Sequence, residues 1–472
     1  MATVLTNIGF RVLPAMAALV LGACASLPKE QPDPSPELPE QFSVSGDEAA
    51  SDRWWRAFED PHLNALVTRA LDGNLTLQAS YQRLLQARAT ADRQGAALFP
   101  SLDASAGAER QESDTAETTR FNAGFSASYE VDLWGRIRSL TEAQQQRAIA
   151  SLADYQAAAI TLSGEITTTW FQLLEQRSQM QLAEQQLDIN RQLLTLIETR
   201  FGVGQSGSAD VLRQRQLVSA SLERLGDIAA ESRVLEHQLA VLLGQPPGGA
   251  RIPPETGLPA LPPLPQTGVP ATLIQRRPDI EQAWRLVLAA DQEMAAAIAN
   301  RFPRFSIEAS VRSQSTDASE LFNDWLTTLA GNLVMPLVDG GQRRAEVRRT
   351  RAVLDERLRQ YGQEVITAIQ EVEDALAREL QRRQRLESLQ ARIRLSEAAY
   401  RQLRTRYLNG AVSYLEVLNA LQEQQDLQRT LLTTRQQLLA ARVALYRALA
   451  GGLELPGNTG PRDANAMEND PA

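Results

Sequence analysis

Cysteine and histidine are almost missing from this chain. There is one cysteine, Cys24, and there are two histidines, His62 and His237, far apart in sequence. Structural zinc, disulfides and Cys/His catalysis within one chain are thereby nearly excluded. No stretch after residue 24 holds the roughly 20 consecutive apolar residues that a transmembrane helix needs. Aromatic residues make up 5% of 472 residues, too little for one large globular core in a chain long enough for two or three domains. The formal net charge is −9, so a nucleic-acid partner has no electrostatic support. Carboxylates are plentiful, and Glu371 and Asp374 stand three apart on one helical face, a spacing that suits a di-metal helix site. No histidine accompanies them and Arg378 lies one turn on. A solvated, salt-bridged face is therefore expected, with no enzyme, metal or cofactor.

What is present begins at the N-terminus. "MATVLTNIGFRVLPAMAALVLGAC" has one basic residue, Arg11, then an apolar run through Leu21 that is too short for a permanent span. It ends in Leu21-Gly22-Ala23-Cys24, which resembles a bacterial lipoprotein signal. Residues 1–23 would be removed and the Cys24 thiol lipidated. By that resemblance Ser26, at the second mature position, favours export to the outer membrane. The alternative is an ordinary secretory signal with an incidental cysteine. Residues 24–50, which include the Pro-rich "SLPKEQPDPSPELPEQ", read as an extended tether.

The chain is duplicated. "TRFGVGQSGSADVL" from Thr199 matches "TRYLNGAVSYLEVL" from Thr405 at a shift of 206 residues, which pairs Gly204 with Gly410, Asp210 with Glu416 and Val211 with Val417. Upstream, "ALFPSLDASAG" matches "NRFPRFSIEAS" at a shift of 203, so the two hairpins are expected to differ by three residues. Each unit reads as a short helical region (61–97; about 278–300), two strands (about 99–133; about 303–338) and a glycine (Gly135; Gly341). A very long helix follows (Arg136 to about Arg200; Gln342 to about Tyr407), then a glycine turn and a second long helix (about 209–243; about 414–449). The units cover residues 51–250 and 276–452. A Pro/Gly-rich linker, 251–275, separates them, and 453–472 is an expected flexible tail. A helix of about 65 residues is ~100 Å long. Leu152, Tyr155, Ala159, Leu162, Ile166, Trp170 and Leu173 have the spacing of a coiled-coil seam.

The strands alternate strictly. In "FNAGFSASYEVDL", residues 121–133, every odd position from Phe121 to Leu133 is apolar and every even one is small or polar. Phe305, Ile307, Ala309 and Val311 alternate in the same way with Ser306, Glu308, Ser310 and Arg312. Such strands match the ~9–11 tilted residues that cross a bilayer, with one face for lipid and one for a lumen. Four strands do not close a barrel, and an open edge in lipid leaves backbone groups unpaired at several kcal/mol each. Closure needs other copies: two chains give eight strands, three give twelve. The alternative is a soluble sandwich of four amphipathic strands on a helical rod.

These features carry a resemblance. Its marks are "DRWWRAFEDPHLNALVTRAL", with Trp54-Trp55, Phe58 and Asp60-Pro61, then "GNL" at Gly73–Leu75 and "RRPDI" at Arg276–Ile280. They continue with Phe99-Pro100, Phe302-Pro303, "YEVDLWGRIR" at Tyr129–Arg138 and its partner "MPLVDGGQRRAEV" at Met335–Val347. The chain resembles the outer-membrane factors of tripartite efflux pumps, the TolC-like channels, in their lipoprotein NodT/OprM-like branch, over nearly its whole length. The resemblance implies a mainly α protein with a membrane β-barrel. It implies a homotrimer with a twelve-stranded barrel in outer-membrane lipid, a periplasmic barrel of twelve helices and a mixed collar. The collar would hold residues 50–75, residues 245–278 and the C-terminus. The implied mechanism is passive export of small molecules, with an inner-membrane pump as energy source and a periplasmic adaptor between pump and channel. A duct for type I protein secretion and a structural coiled-coil lipoprotein are the alternatives.

By the same resemblance the helix-turn-helix tips, Phe201–Val211 and Tyr407–Val417, form the periplasmic mouth and the adaptor's docking point. Gly204 and Gly410 suit tight turns. Ser208 and Ser413 are candidate N-caps, and Asp210 and Glu416 fall in the first turns of the returning helices. For these two acids capping stands beside a gate. In related channels the position of Glu416 rings the narrowest point, and Tyr407 with Asp210 matches a pair whose hydrogen bonding helps hold the channel shut. The second ring position is Asn419 here, and the position of a latching arginine is Val412, so packing can take the latch's place.

Overall fold

The structure, a computed structural model, describes residues 38–48, 51–113, 116–255 and 257–453. Cys24 and residues 454–472 of the tail lie outside them. A 3-10 turn, Trp54–Phe58, precedes helices α1 (Pro61–Gly73) and α2 (Leu75–Gly95). Strands β1 (Ser101–Ser113) and β2 (Ala116–Val131) feed α3 (Arg136–Gly202), and α4 (Ser208–Leu242) returns. The second unit repeats the order with α5 (Pro270–Arg276), α6 (Pro278–Ala299), β3 (Arg304–Ser315), β4 (Leu326–Val334), α7 (Gln342–Leu408) and α8 (Tyr414–Leu449). The long helices α3 and α7 have 67 residues each, about 100 Å. Two expected boundaries move. Strand β4 stops at Val334, short of 338, because Pro336 has no N–H for the ladder. The end of the expected linker is helical, as α5, with Pro270 at its first position.

The "VDLWGR" and "VDGGQR" stretches turn out to be helix starts. A long helix leaves its first N–H groups unpaired. Asp132 accepts from the N–H groups of Ile137 and Arg138 at 3.0 and 2.8 Å, and Asp339 from those of Gly341 and Arg343 at 2.9 and 3.3 Å. Between strand and helix the backbone passes through a left-handed glycine, Gly135 at φ 75° and Gly341 at φ 87°.

The seam from Tyr155 to Leu173 is buried, but much of what covers it is a collar rather than a second long helix. Trp54, Trp55, Phe58, Leu63 and Leu66 pack on it, together with Tyr446 from the end of the second unit and Leu453, the first residue of the expected tail, which is buried here. Trp54 stacks on Tyr446 at 5.8 Å between ring centres, and Phe58 meets Phe171 edge-on at 4.9 Å. One oxygen of Asp60 caps α1, accepting from His62 and Leu63 N–H at 2.8 and 3.0 Å. The other accepts from the Trp170 indole at 2.7 Å, which ties the collar helix to the long one. Asn74 of "GNL" caps α2 at Leu77 N–H and donates to the Leu242 carbonyl, both at 2.9 Å. Here the chains pass so closely that a Cβ on Gly244 would lie 2.1 Å from the Gly73 carbonyl oxygen.

Guanidinium groups fasten the rest. Arg277 of "RRPDI" is buried and binds Asp279, Glu371 at 2.8 Å and the Ala448 carbonyl at 3.3 Å. Glu371 is thus an ion-pair partner, and Asp374 pairs with Arg378 at 3.1 Å. Among the described residues no group of His, Cys, Asp and Glu could hold a metal. Arg442 is fully buried between both oxygens of Glu379, at 2.6 and 2.8 Å, and donates to the carbonyls of Pro262 and Pro263. Arg177 grips the carbonyls of Pro253 and Glu255 in the same manner. The proline-rich linker is held by its own carbonyls to two charged groups of the long helices.

Burial pushes the Asp279 carboxyl up, but the hydrogen bonds and charge of Arg277 and the Ile280 N–H outweigh it and hold it below the usual range. A depressed carboxyl contributes stability above its unfolded pKa and loses it as pH falls through the folded value. The variant Asp279→Asn should therefore melt below the parent at pH 7, with the gap closing as pH drops below about 4. Thermal melts at neutral and acid pH check this. A gap that persists in acid would mean that the side chain acts by shape alone.

Candidate functional site

The four strands form one antiparallel sheet in the order β1-β2-β3-β4. The register brings the apolar positions together: Ala104, Phe125 and Val311 in one row, Leu102, Ala127, Ala309 and Leu329 in another, and Phe305 opposite Leu333. Neighbours in a row share a face, so one side of the sheet is mainly apolar, with Thr327 and Ser313 as polar members beside Val311 and Ala123. Asp103, Ser126, Ser310 and Thr328 make a row of the other face, and Glu308 lies opposite Ser128. The apolar face is bare: Leu102 is 72% exposed, Phe125 54%, Leu329 77% and Leu333 67%. Patches of this kind mark a contact with something other than water. Strands β1 and β4 each pair on one side only, so two outer edges are free among the described residues. Among the same residues no helix is long and apolar enough to cross a membrane.

Aromatic rings stand at both ends of the sheet, a feature that the alternation alone did not reveal. At the helix end Trp134 stacks on Phe302 at 4.9 Å and donates to the Pro303 carbonyl at 2.8 Å. At the far end Phe322 and Trp325 lie together. Their signal in the sequence was position, just outside the alternating runs.

The two tips close alike. The N–H of Gln205 reaches the Arg200 carbonyl and that of Gly204 the Phe201 carbonyl, at 2.8 and 2.9 Å; Ala411 to Arg406 and Gly410 to Tyr407 repeat this, both at 2.9 Å. This is the Schellman closure, with Gly204 and Gly410 left-handed at φ 75° and 73°. The caps differ. Ser413 caps α8, and the Glu416 carboxylate accepts from its N–H and hydroxyl, each at 3.2 Å. Ser208, expected as a cap, is instead the first residue of α4, and the cap is Gly207. Asp210 reaches back as Glu416 does, accepting from the Ser206 hydroxyl at 3.1 Å and the Gly207 N–H at 3.4 Å. Both acids thus cap helices, while Glu416 and Asn419 stay exposed.

The expected bond between Tyr407 and Asp210 is not formed within the chain. Tyr407 is buried and its hydroxyl has no hydrogen-bond partner. Its ring meets Tyr414 at 5.5 Å and lies under the Arg200 guanidinium at 4.9 Å. Ile197, Val211, Val417 and Leu418 fill the tip around it, with Val412 against them. Burial pushes the Tyr414 hydroxyl far above its usual range, and as a neutral donor it bonds Gln214 at 2.5 Å.

That bond opens a ladder which the sequence reading missed. Gln179, Ala183, Gln186, Asn190, Leu193 and Ile197 are all buried at heptad spacing on α3. Gln214 donates to the Asn190 carbonyl at 2.7 Å, Asn190 to Ser221 at 2.9 Å and Gln425 to the Asn190 side chain at 3.1 Å. Gln186 donates to Gln428 at 3.1 Å and accepts from Arg429 at 2.7 Å, and Gln179 reaches the Arg429 carbonyl at 3.0 Å. Burial and the nearby Arg224 charge lower the Arg429 pKa to about 10. The available signal was amides at seam positions that usually hold leucine.

The chain matches the Outer membrane efflux protein family over residues 66–245 and 269–451. It belongs to that family. It is 32% identical to the pyoverdine export outer membrane protein OpmQ of Pseudomonas aeruginosa, over 92% of this chain and 95% of the relative. It is 30% identical to the toluene efflux pump outer membrane protein TtgI of Pseudomonas putida, over 95% of this chain and all of the relative. Among solved structures it superposes on the outer-membrane channel OprN with a TM-score of 0.81 at 28% identity, covering 89% of this chain and 99% of that one. For CusC, from a study of transmembrane channel formation, the TM-score is 0.82 at 26% identity, covering 91% and 100%. In an outer membrane efflux protein, a bare apolar sheet face of this kind is expected to meet lipid. Phe125→Arg should therefore weaken membrane assembly by ~2–4 kcal/mol near the bilayer midplane, whereas Ser126→Arg should be tolerated. Immunoblots of outer-membrane fractions read the difference, and equal tolerance would point to a sheet that stays in water.

Proposed function

We propose that this outer membrane efflux protein works as a homotrimeric, passive duct for small molecules. The observation that carries the reading is the open sheet: two free edges and a bare apolar face are stable in lipid only when other copies complete a closed barrel. Three copies give twelve strands, wide enough for a pore, and the long helices continue it as a periplasmic tube. No group on the wall is arranged for catalysis in this reading. A periplasmic adaptor docks at the tips around Gly204, Ser208, Gly410 and Ser413 and links the duct to an inner-membrane pump. Relatives named for pyoverdine export, toluene efflux and cation efflux support a duct whose cargo is chosen elsewhere.

The gate reading is compatible with the caps. Glu416 holds Ser413 yet remains exposed, so three copies can face the axis at the mouth and attract cations. Asn419, one turn on, adds no charge. Tyr407 and Asp210 then take part through packing and through helix capping, with the Tyr407 hydroxyl buried and unpaired within the chain.

Chemical cross-linking in native membranes and planar-bilayer recording test the duct; a monomer without conductance would overturn it. Glu416→Gln, which keeps an acceptor for the cap and removes the charge, should lower cation preference as read from reversal potentials. Unchanged preference would leave Glu416 as a cap only. The lipid anchor is tested separately: Cys24→Ser should abolish incorporation of a labelled fatty-acid analogue, and full labelling of the variant would refute acylation at Cys24.

A further inference from the structure

We propose that the connection between β3 and β4, residues 316–325, is a foot that rests on the outer leaflet of the bilayer through Phe322 and Trp325. The inference relies on the sheet being part of a closed barrel in the outer membrane. The two hairpins of the chain differ at their tips. Strand β1 runs to Ser113 and β2 starts at Ala116, with polar neighbours such as Glu112 and Glu117. The second connection is longer and built. It contains a 3-10 turn, Ala318–Glu320, started by Asp317, which accepts from the Ser319 N–H and hydroxyl at 2.8 Å each.

One residue fixes which way this connection folds. Ser313 pairs with Ala123 and so belongs to the apolar face. It is 2% exposed, although Val311 and Phe125 on the same face are 36% and 54% exposed. What covers it is the connection itself, for the Ser313 hydroxyl donates to the Leu321 carbonyl. The segment therefore bends outward over the lipid side and not inward over the polar side. That bend leaves Phe322 and Trp325 in the open, at 64% and 45% exposure, just beyond the end of β4, whose Leu329 and Leu333 belong to the apolar face. The two rings lie 6.2 Å apart, and the Trp325 indole N–H is satisfied by the Phe322 carbonyl at 3.1 Å. A tryptophan whose donor is met while its ring is bare suits the boundary between headgroups and acyl chains.

Spacing supports the same partner. Nine residues of β4 separate Trp325 from the helix end of the sheet. At a rise of ~3.4 Å and a tilt of ~40° they climb about 23 Å, close to the apolar band of roughly 25 Å that such barrels present. Trp134 and Phe302 stand at the other end, so the two ring pairs bracket one bilayer. Residues 316–325 include no lysine or arginine, so the contact is made by rings and not by headgroup charge.

The test uses the full chain reconstituted in vesicles of phosphatidylcholine brominated on its acyl chains, which quenches nearby indoles. Subtracting spectra of the Trp325→Phe and Trp134→Phe variants isolates each emission. The expected result is loss of both emissions relative to unbrominated vesicles. Quenching of Trp134 without Trp325 would overturn the foot and leave the barrel standing; quenching of neither would remove the barrel reading and the foot with it. A Phe322→Ser/Trp325→Ser chain should keep its trimer in detergent. Loss of the trimer there would assign the rings to a neighbouring copy and overturn the lipid assignment.

Discussion

A backbone amide in hydrocarbon has no water to fall back on, and every other feature of this chain is arranged around that constraint. Duplication supplies two hairpins, and β2 pairs with β3, so the joint between the repeats is made within one chain. Only the outer edges of β1 and β4 are left for other copies. Each hairpin runs directly into a 67-residue helix, and each such helix returns through a second. Among the described residues the number of long helices therefore equals the number of strands, and whatever count closes the barrel also sets the girth of the tube.

The stretches by which the family is recognised are mainly joints. "VDLWGR" and "VDGGQR" carry the aspartates that start the long helices. Asp60 begins a collar helix and holds Trp170, "GNL" lets two chain segments touch, and "RRPDI" supplies the buried Arg277. None of these residues lies at the mouth. Their common property is that a side chain satisfies backbone or charge at a place where two elements must meet at a fixed angle. Family membership is thus legible from how the tube is assembled, and cargo is not.

Much of the fold was readable because period two and period 3.6 are unambiguous over runs this long. The residues that share each face of the sheet, the lengths of α3 and α7 and the positions of both tip glycines follow directly. The misses have local causes. Whether Gly207 or Ser208 caps α4 depends on one residue of turn length, and Asp210 reaches back to the Gly207 N–H. The Tyr407–Asp210 bond was expected from likeness, but the ring is drawn into the tip cluster and under Arg200 instead. The seam from Tyr155 to Leu173 was correctly apolar, yet the spacing could not say that a collar would cover it. Aromatic pairs at the strand ends and amides in the lower seam carry no periodic signature of their own.

The ladder of Gln179, Gln186, Asn190 and Gln425 gives the lower tube a different material from the upper. Near the collar the long helices meet through rings and aliphatic chains, and parting them would expose oil to water. Between the collar and the apolar cluster of the tips they meet through amides, whose bonds water can replace at little enthalpic loss. A rod of this kind is stiff at its collar and compliant in the band between collar and tips. Wetting, which would tear an aliphatic seam, acts there as a lubricant.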